Sequence, residues 1–264
     1  MQKQFFTPEP RIFAHRGNAA HFPENTLPSF QSAVEIGADV IETDVQRSRD
    51  GHFMVFHDDT IDRITEGAGR VGDHTLEELK RLDAGYRYSA DGDSFPFRGK
   101  RIAIPSLDEA LHEFPQQRFN VDLKTDDPSQ AADYCTLIRR CNAGERVLTA
   151  SEFTGNLKAV RSLMPEMATS ASHKEVAGVF FLYRSGLLFT KNNFAADALQ
   201  IPEFYRHWHV AAPDLMRRMH KKGIRVHVWT VNREADMRRL LDAGVDGIIT
   251  DDPLLLKKVI DSRA

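Results

Sequence analysis

The segment Val40–Val45 reads VIETDV, and it places acidic residues where a buried strand would be apolar. Its β-branched residues favour an extended strand. Successive side chains of a strand point to opposite sides, so Glu42 and Asp44 project to the same side. Two carboxylates on one side of an otherwise apolar strand predict that this side opens onto a polar site.

Two further segments repeat this arrangement. Phe119–Lys124 reads FNVDLK, and the alternation rule places Asp122 and Lys124 on one side. Ile12–Gly17 reads IFAHRG, an apolar strand that ends in a histidine, an arginine and a glycine. If the three strands end at one edge of the same sheet, three carboxylates, a lysine, an arginine and a histidine converge there.

The chain alternates short apolar segments with helical patterns, which predicts parallel strands joined by crossover helices. The eight candidate strands are Arg11–His15, Asp39–Gln46, Arg118–Lys124, Arg146–Ser151, Met167–Ser172, Ala198–Pro202, Arg225–Asn232 and Gly247–Asp251. Eight strand–helix units fit a closed (β/α)8 TIM barrel, formed as a single domain by residues 1–264. A doubly wound open sheet has the same pattern and stays open as an alternative.

Residues 48–105 are too numerous for an ordinary strand-to-helix loop, so we predict an insertion after the second strand. Such insertions usually lie at the C-terminal face of a barrel, where active sites are built. Gly67, Gly69 and Gly72 have the spacing of a dinucleotide-binding loop, but no buried strand precedes them. We interpret them as a turn. Helix caps are expected at Thr75, at Ser106, at Asn232 and at Asp252, and Thr26 is expected to cap the first helix. Thr250 and Asp251 are expected to form hydrogen bonds at the start of the last helix.

Composition limits the classes of function. The 264 residues include 41% hydrophobic and 28% charged residues, which is typical of a soluble enzyme. The net charge of −3 does not indicate a nucleic-acid-binding protein. The two cysteines, Cys135 and Cys141, are predicted to be free thiols. No segment approaches the roughly 20 apolar residues of a membrane span, and Met1–Pro10 does not resemble a signal peptide. We therefore expect a cytoplasmic protein without stable membrane insertion.

The converging carboxylates Glu42, Asp44 and Asp122 predict a bound cation. Like charges at close range are unfavourable unless a cation lies among them, and carboxylate oxygens suit one hard divalent ion, Mg²⁺ or Ca²⁺. The alternative is a structural ion-pair network in which Asp122 or Glu42 pairs with Lys124 and Arg16.

Two of the 11 histidines stand out by their placement. His15 ends the first strand, and His57 follows an apolar segment and precedes Asp58 and Asp59. A carboxylate can orient an imidazole and stabilise its protonated form. On either side of a phosphodiester, one histidine could remove a proton while the other protonates the leaving oxygen.

Six motifs occur in the order found in the glycerophosphodiester phosphodiesterase family, and the chain resembles that family from Ile12 to about Leu255. The motifs are His15-Arg16-Gly17, Pro23-Glu24-Asn25-Thr26, Glu42-x-Asp44, His57-Asp58, Val228-Trp229-Thr230-Val231-Asn232 and Asp246-Gly247-Ile248-Ile249-Thr250-Asp251.

The resemblance implies a (β/α)8 barrel that hydrolyses glycerophosphodiesters to an alcohol and sn-glycerol 3-phosphate. It also implies roles for the residues of the motifs. His15 and His57 would be the acid–base pair, while Glu42 and Asp44 would bind the metal. The phosphate would be bound by Arg16 and Lys124, and Trp229 would line the substrate pocket.

One position departs from the family pattern. The third carboxylate is usually a glutamate, and here it is Asp122, which is one methylene shorter. An Asp-x-Lys segment also resembles the sphingomyelinase D relatives of the same barrel. Two further alternatives are a lysophospholipase D and a barrel that binds phosphodiesters without turnover. For the first, an apolar wall would be supplied by Phe180, Phe181, Leu182, Leu187, Leu188 and Phe189, although a buried helix face is the preferred interpretation. The sequence leaves the oligomeric state open.

Overall fold

The computed structural model describes residues 3–263. The strands are β1 (Ile12–His15), β2 (Val40–Arg47), β3 (Phe53–Val55), β4 (Arg118–Leu123), β5 (Val147–Ala150), β6 (Ala168–Thr169), β7 (Ala198–Pro202), β8 (Phe204–Tyr205), β9 (Trp208–His209), β10 (Arg225–Trp229) and β11 (Gly247–Thr250). The helices are α1 (Leu27–Ile36), α2 (Leu76–Lys80), α3 (Leu107–Glu113), α4 (Ala131–Arg140), α5 (Thr154–Leu163), α6 (His173–Arg184), α7 (Pro213–His220), α8 (Glu234–Asp242) and α9 (Pro253–Asp261).

Eight parallel strands form a nearly closed barrel in the order β6-β5-β4-β2-β1-β11-β10-β7. A parallel bridge between Ser170 and Ala198 joins its two ends. The predicted (β/α)8 barrel is confirmed, and the open sheet is excluded. All eight predicted strands are present, although the fifth is shortened to two residues.

The connection from β2 to α3 is the predicted insertion. It begins with β3, which turns back and pairs antiparallel with β2. Neither this strand nor the small β8–β9 hairpin that follows β7 was predicted from the sequence. The insertion has its own apolar cluster, in which Met54, Ile61 and Leu79 are buried. It therefore packs as a structured unit against the barrel.

The N-terminal ends of the strands are closed by apolar side chains. Phe5 and Phe6, in a short turn before β1, belong to one buried cluster with Phe13 inside the barrel. Arg118, which begins β4, donates to the Phe5 carbonyl oxygen at 2.9 Å. Because aromatic side chains plug this end, a cavity between the strands can open only at the opposite end.

Most of the predicted helix caps are observed. Thr75 and Glu78 form a reciprocal capping box at α2, and the Asp252 side chain accepts from Leu255 N at 2.9 Å. The prediction for Asn232 is wrong, because α8 begins one residue later with Arg233 at the cap. Asn232 instead hydrogen-bonds across to Thr250 and Asp251 at the end of β11.

The stretch around α6 differs from the buried helix face that we predicted. Val179 is buried and Phe180 packs against the core, as expected. Phe181 and Phe189, however, are 69% and 67% exposed. Among the described residues, no helix is both long and apolar enough to cross a membrane.

Candidate active site

A cavity of about 650 Å³ lies at the C-terminal ends of the strands. The eight residues predicted from the sequence all line it, and they are His15, Arg16, Glu42, Asp44, His57, Asp122, Lys124 and Trp229. The barrel register explains this convergence. Asp44 of β2 pairs directly with Asp122 of β4, and His15 of β1 pairs with Glu42 of β2.

The turn after β1 fixes the direction of His15 and Arg16. Arg16 adopts a left-handed backbone with φ of 54°, and Gly17 follows with φ of 88°. This turn directs the Arg16 backbone N–H to Glu42 Oε2 at 3.2 Å. The Ser29 hydroxyl donates to the Arg16 carbonyl and holds the turn against α1.

Each of the two candidate histidines is held by a carboxylate. His15 Nδ1 lies 2.6 Å from Asp251 Oδ1, and His57 Nδ1 lies 2.6 Å from Asp58 Oδ1. An ionised carboxylate can only accept a hydrogen bond, so Nδ1 is the donor in both rings. The Nε2 atoms are therefore left to exchange protons with a ligand in the cavity.

The charge on His15 is favoured by its neighbours. Burial opposes protonation, but the carboxylates of Glu42 and Asp251 outweigh it and raise the pKa of His15. The reverse holds for Asp251, where the bonds to His15 and Asn232 overcome burial and lower the pKa.

Arg63, in the insertion, connects the two sides of the cavity. Its two terminal nitrogens donate hydrogen bonds to the two carboxylate oxygens of Glu24 at 2.6 and 2.9 Å, and its Nε donates to Asp58. Glu24 in turn accepts from Arg16 Nη1 at 2.8 Å. One guanidinium thus braces the partner of Arg16 and the partner of His57 together.

The acidic centre of the cavity is built around Lys124. Its ammonium lies 2.9 Å from Asp44 Oδ1 and 2.7 Å from Asp122 Oδ2. Asn25 donates to the other oxygen of Asp44 at 3.0 Å, and Arg16 Nε lies 3.3 Å from it. Burial acts to raise the pKa of Asp44, but the charges of Lys124 and Arg16 outweigh burial and lower this pKa.

The other two carboxylates have fewer cationic or donor partners than Asp44, and among the described residues Asp122 has only Lys124, on its Oδ2 atom. Burial, reinforced by the charge of Asp44, raises the pKa of Glu42 to about 7. Burial also raises the pKa of Asp122, whose Oδ1 atom is buried without a hydrogen-bond partner. Both carboxylates have unused capacity to bind a cation.

The donor set suits a hard divalent cation in its chemistry, since all three side chains supply carboxylate oxygens. Within residues 3–263, however, no three His, Cys, Asp or Glu side chains are arranged as a ready ligand set. Lys124 lies between Asp44 and Asp122 and takes part of that space. The cavity therefore combines the predicted cation donors with the ion-pair network that was the alternative.

Trp229 is the aromatic residue on the cavity rim. It ends β10 opposite Pro202 of β7, lines the cavity, and is 40% exposed. A large flat side chain at the rim can cover the apolar part of a ligand whose phosphate lies deeper.

Three contributors to this geometry were missed or misassigned from the sequence. Asp251 was assigned to the start of a helix, but it binds His15. Asn25 and Arg63 had no predicted role, although they hold Asp44 and Asp58. Asn25 and Asp251 each lie in one of the sequence motifs, whereas Arg63 had no sequence signal. In the Pro23–Thr26 motif, Glu24 accepts from Arg16 and Thr26 caps α1.

Comparison with known proteins agrees with this geometry. Residues 15–255 match the model of the glycerophosphoryl diester phosphodiesterase family. The chain belongs to that family. It is 36% identical to a glycerophosphodiester phosphodiesterase of Caldanaerobacter subterraneus over 94% of this chain and 97% of that relative.

Solved structures of this family resemble the barrel closely. A glycerophosphodiester phosphodiesterase from Agrobacterium tumefaciens is 27% identical with a TM-score of 0.74, covering 94% of this chain and 99% of that one. An Oleispira antarctica phosphodiesterase, solved with the product sn-glycerol-3-phosphate, is 26% identical with a TM-score of 0.77, covering 97% and 98%. The present member of the family is a phosphoric diester hydrolase.

Proposed function

We propose that this member of the glycerophosphodiester phosphodiesterase family splits glycerophosphodiesters into an alcohol and sn-glycerol 3-phosphate. In this proposal the reaction depends on a divalent cation, Mg²⁺ or Ca²⁺, and uses His15 and His57 as acid and base. The observation that carries it is the pair of imidazoles, each anchored through Nδ1 to a carboxylate and lining one cavity with Arg16 and Lys124.

Arg16 and Lys124 are suited to bind the phosphate. Both are largely buried cations in the cavity lining, and a guanidinium can donate two parallel hydrogen bonds to phosphate oxygens. Trp229 would cover the glycerol or the head group at the rim.

The charges in the cavity favour an added cation. With Glu42, Asp44 and Asp122 ionised, these three side chains outnumber Arg16 and Lys124, and a phosphodiester brings another negative charge. A divalent ion held by the three carboxylates would balance this excess. When bound there, such an ion supplies charge stabilisation for the phosphoryl oxygens as they become more negative.

The two histidines divide the proton transfers. One accepts the proton of the attacking group, which is the neighbouring glycerol hydroxyl or a water molecule. The other donates a proton to the oxygen of the departing alcohol, so that the P–O bond breaks without releasing an alkoxide. If the glycerol hydroxyl attacks, this step forms a cyclic phosphodiester, and a water molecule then opens it to sn-glycerol 3-phosphate. Asp251 and Asp58 keep the two rings in the tautomer that this exchange requires.

The decisive measurement is release of sn-glycerol 3-phosphate from glycerophosphocholine, with and without a chelator. We expect the chelator to abolish release and added Mg²⁺ or Ca²⁺ to restore it. Release that is insensitive to the chelator would remove the metal role of Glu42, Asp44 and Asp122. Lysophosphatidylcholine, assayed in parallel, distinguishes a lysophospholipase D from an enzyme of water-soluble diesters.

Alanine variants test the acid–base pair. His15→Ala and His57→Ala should each lower kcat by about 10² to 10⁴, because a positioned acid or base contributes that much. Thermal unfolding should show that both variants still fold. Normal turnover in the two variants would refute the assignment.

A further inference from the structure

Exposed aromatic and aliphatic side chains are concentrated on one side of the barrel. Ten large hydrophobic residues of the described chain are notably exposed, and six of them lie between residues 181 and 208. They are Phe181, Leu187, Phe189, Phe204, Tyr205 and Trp208. We call the surface formed by α6, the following turn and the β8–β9 hairpin the aromatic face.

The parts of the aromatic face contact one another. Trp208 of the hairpin packs edge-on against Phe180 of α6, with ring centroids 6.2 Å apart. Arg184, at the end of α6, lies over the same indole at 4.5 Å. The helix and the hairpin therefore present their exposed side chains as one continuous surface.

A groove runs along this surface. It has a volume of about 350 Å³, and Phe181, Leu182 and Phe194 are among the residues that line it. Lys174 and Lys191 also belong to its lining. Apolar walls with ammonium groups beside them suit a ligand that has a hydrocarbon part and an anionic part.

The charge of this region is opposite to that of the whole chain. Residues 173–222 contain eight Lys and Arg residues and four Asp and Glu residues, a net charge of +4, whereas the complete chain carries −3. The four carboxylates of the region all have hydrogen-bond or ion-pair partners. Asp214, for example, pairs with Arg217 and Arg218, and Glu175 pairs with Arg161.

The cations of the aromatic face are not neutralised in this way. Arg184, Lys191 and Arg206 lie over aromatic rings at 4.5, 5.1 and 5.7 Å, and within residues 3–263 they have no carboxylate partner. Aromatic rings beside lysines and arginines are the residues that anchor proteins at a membrane–water interface.

The aromatic face also reaches the rim of the active-site cavity. The hairpin follows β7 directly, and Pro202 at the end of β7 pairs with Trp229, which lines the cavity. A surface held against the aromatic face would therefore lie beside the entrance of the site.

We propose that the aromatic face docks this protein on an anionic lipid bilayer, with the aromatic side chains at the headgroup level and the lysines and arginines on lipid phosphates. A second copy of the chain fits less well, because two copies of a face with net charge +4 would repel each other. The docking is peripheral and reversible, since a few side chains bury little hydrocarbon.

Vesicle flotation tests this proposal without any turnover. The probes are vesicles of phosphatidylglycerol and phosphatidylcholine in equal parts, and vesicles of phosphatidylcholine alone. We expect binding to the anionic vesicles, with much weaker binding to the neutral ones. Binding should weaken as salt is added, because surface charges are screened.

Two variants separate the apolar and the charged contributions. F181S/F189S/F204S removes exposed aromatic groups, and K174Q/K191Q/R206Q removes positive charge from the same face. Each should weaken binding to the anionic vesicles by about tenfold or more. The matched control for the first, F95S/L163S/L254S, changes exposed apolar residues elsewhere, and that for the second is K100Q/K158Q/K258Q. Both controls should bind like the unmodified protein.

The outcomes that overturn the proposal are distinct from failure of the proposed activity. They are no binding of the unmodified protein to anionic vesicles, equal binding by a face variant and its control, or self-association of the protein that is lost in the aromatic variant. Hydrolysis of glycerophosphocholine, which is water-soluble, should be unchanged in both face variants. That assay shows whether the variants remain folded and active.

Discussion

The His15 ring is oriented by a residue far away in the sequence, and the His57 ring is oriented by the next residue in the chain. The partner of His15 is Asp251, 236 positions later, which reaches it because β1 and β11 are neighbours in the barrel. The partner of His57 is the adjacent Asp58, itself held by Arg63. At the scale of single residues, the site consists of imidazoles whose tautomers are set by carboxylates.

Asp251→Ala tests the positioning role. Without the carboxylate, the His15 ring can rotate and exchange tautomers, so kcat should fall by at least about tenfold, part of what a positioned acid or base contributes. KM should change little, because Asp251 does not bind the phosphate. Steady-state kinetics on glycerophosphocholine provide both values.

The adjacent Asp252 supplies the control. Its side chain caps α9, so Asp252→Ala should lower the free energy of unfolding by about 1 kcal/mol and leave kcat unchanged. If the two variants lose the same stability and the same small fraction of kcat, Asp251 is a structural residue only.

The polar residues of the site could be predicted from the sequence where they interrupt an apolar strand. Glu42, Asp44, Asp122 and Lys124 were found in this way, since alternation fixes their side. Arg63 could not be, because it lies in an irregular insertion and its contacts depend on how that insertion folds back. Asp251 ends a strand like the others, but it is followed by a helix cap, and this local role concealed the contact across the barrel.

At the scale of elements, the turn between β1 and α1 carries the strongest geometric constraint. Gly17 has φ of 88°, and a Cβ atom there would lie 2.3 Å from Ser29 Oγ and 2.8 Å from the Ser29 carbonyl carbon. The carbonyl carbon belongs to the backbone of α1 and cannot rotate away. The turn that aims His15 and Arg16 therefore requires glycine.

Gly17→Ala should destabilise the protein by about 2 kcal/mol or more, through the strained backbone and the contact with α1. Urea unfolding measures the loss, and kcat should fall as well because the turn shifts. Gly92→Ala is the matched control, with φ of 82° but no atom within 4 Å of the added Cβ. Gly92→Ala should lower the free energy of unfolding by only about 1 kcal/mol. An equal loss of stability in Gly17→Ala and Gly92→Ala would show that the contact with Ser29 is unimportant.

Local signals predicted the elements well only where they did not compete with tertiary contacts. Thr75 and Asp252 cap their helices as expected, whereas Asn232 has the right residue type but bonds to Asp251 instead. The strand β3 and the β8–β9 hairpin are too short for a periodic pattern. The exposure of Phe181 and Phe189 was missed because an apolar stretch ordinarily indicates a core.

At the scale of the whole molecule, one end of the barrel is plugged by aromatic side chains and the other opens into a polar cavity. The sequence predicted eight strand–helix units, but an open sheet has the same units. A closed barrel differs from an open sheet only in that the two end strands of the order, β6 and β7, pair with each other. That pairing is the single bridge between Ser170 and Ala198. It depends on the stagger of the strands, which no local pattern encodes.

The barrel interior also contains a buried histidine to which the sequence analysis gave no role. His227 of β10 is completely buried, packs against the Phe13 ring at 4.4 Å, and has Gln200 Nε2 3.3 Å from its Nδ1. Its Nε2 has no hydrogen-bond partner within the described residues. Burial therefore lowers the pKa of His227 from 6.5 to about 4.

This histidine should make the fold sensitive to acid. Between pH 6.5 and about 4 the unfolded chain binds a proton at this position and the folded chain does not, so stability is complete above pH 6.5 and is lost as the pH falls towards 4. The loss is on the order of 3 kcal/mol. Urea unfolding at neutral pH and near pH 4 measures how much the free energy of unfolding falls in acid, and this fall should be smaller in His227→Leu than in the unmodified protein. His52→Leu, at an exposed position, is the control and should show the full fall. If the free energy of unfolding falls as much in His227→Leu as in the control, His227 does not cause the sensitivity to acid.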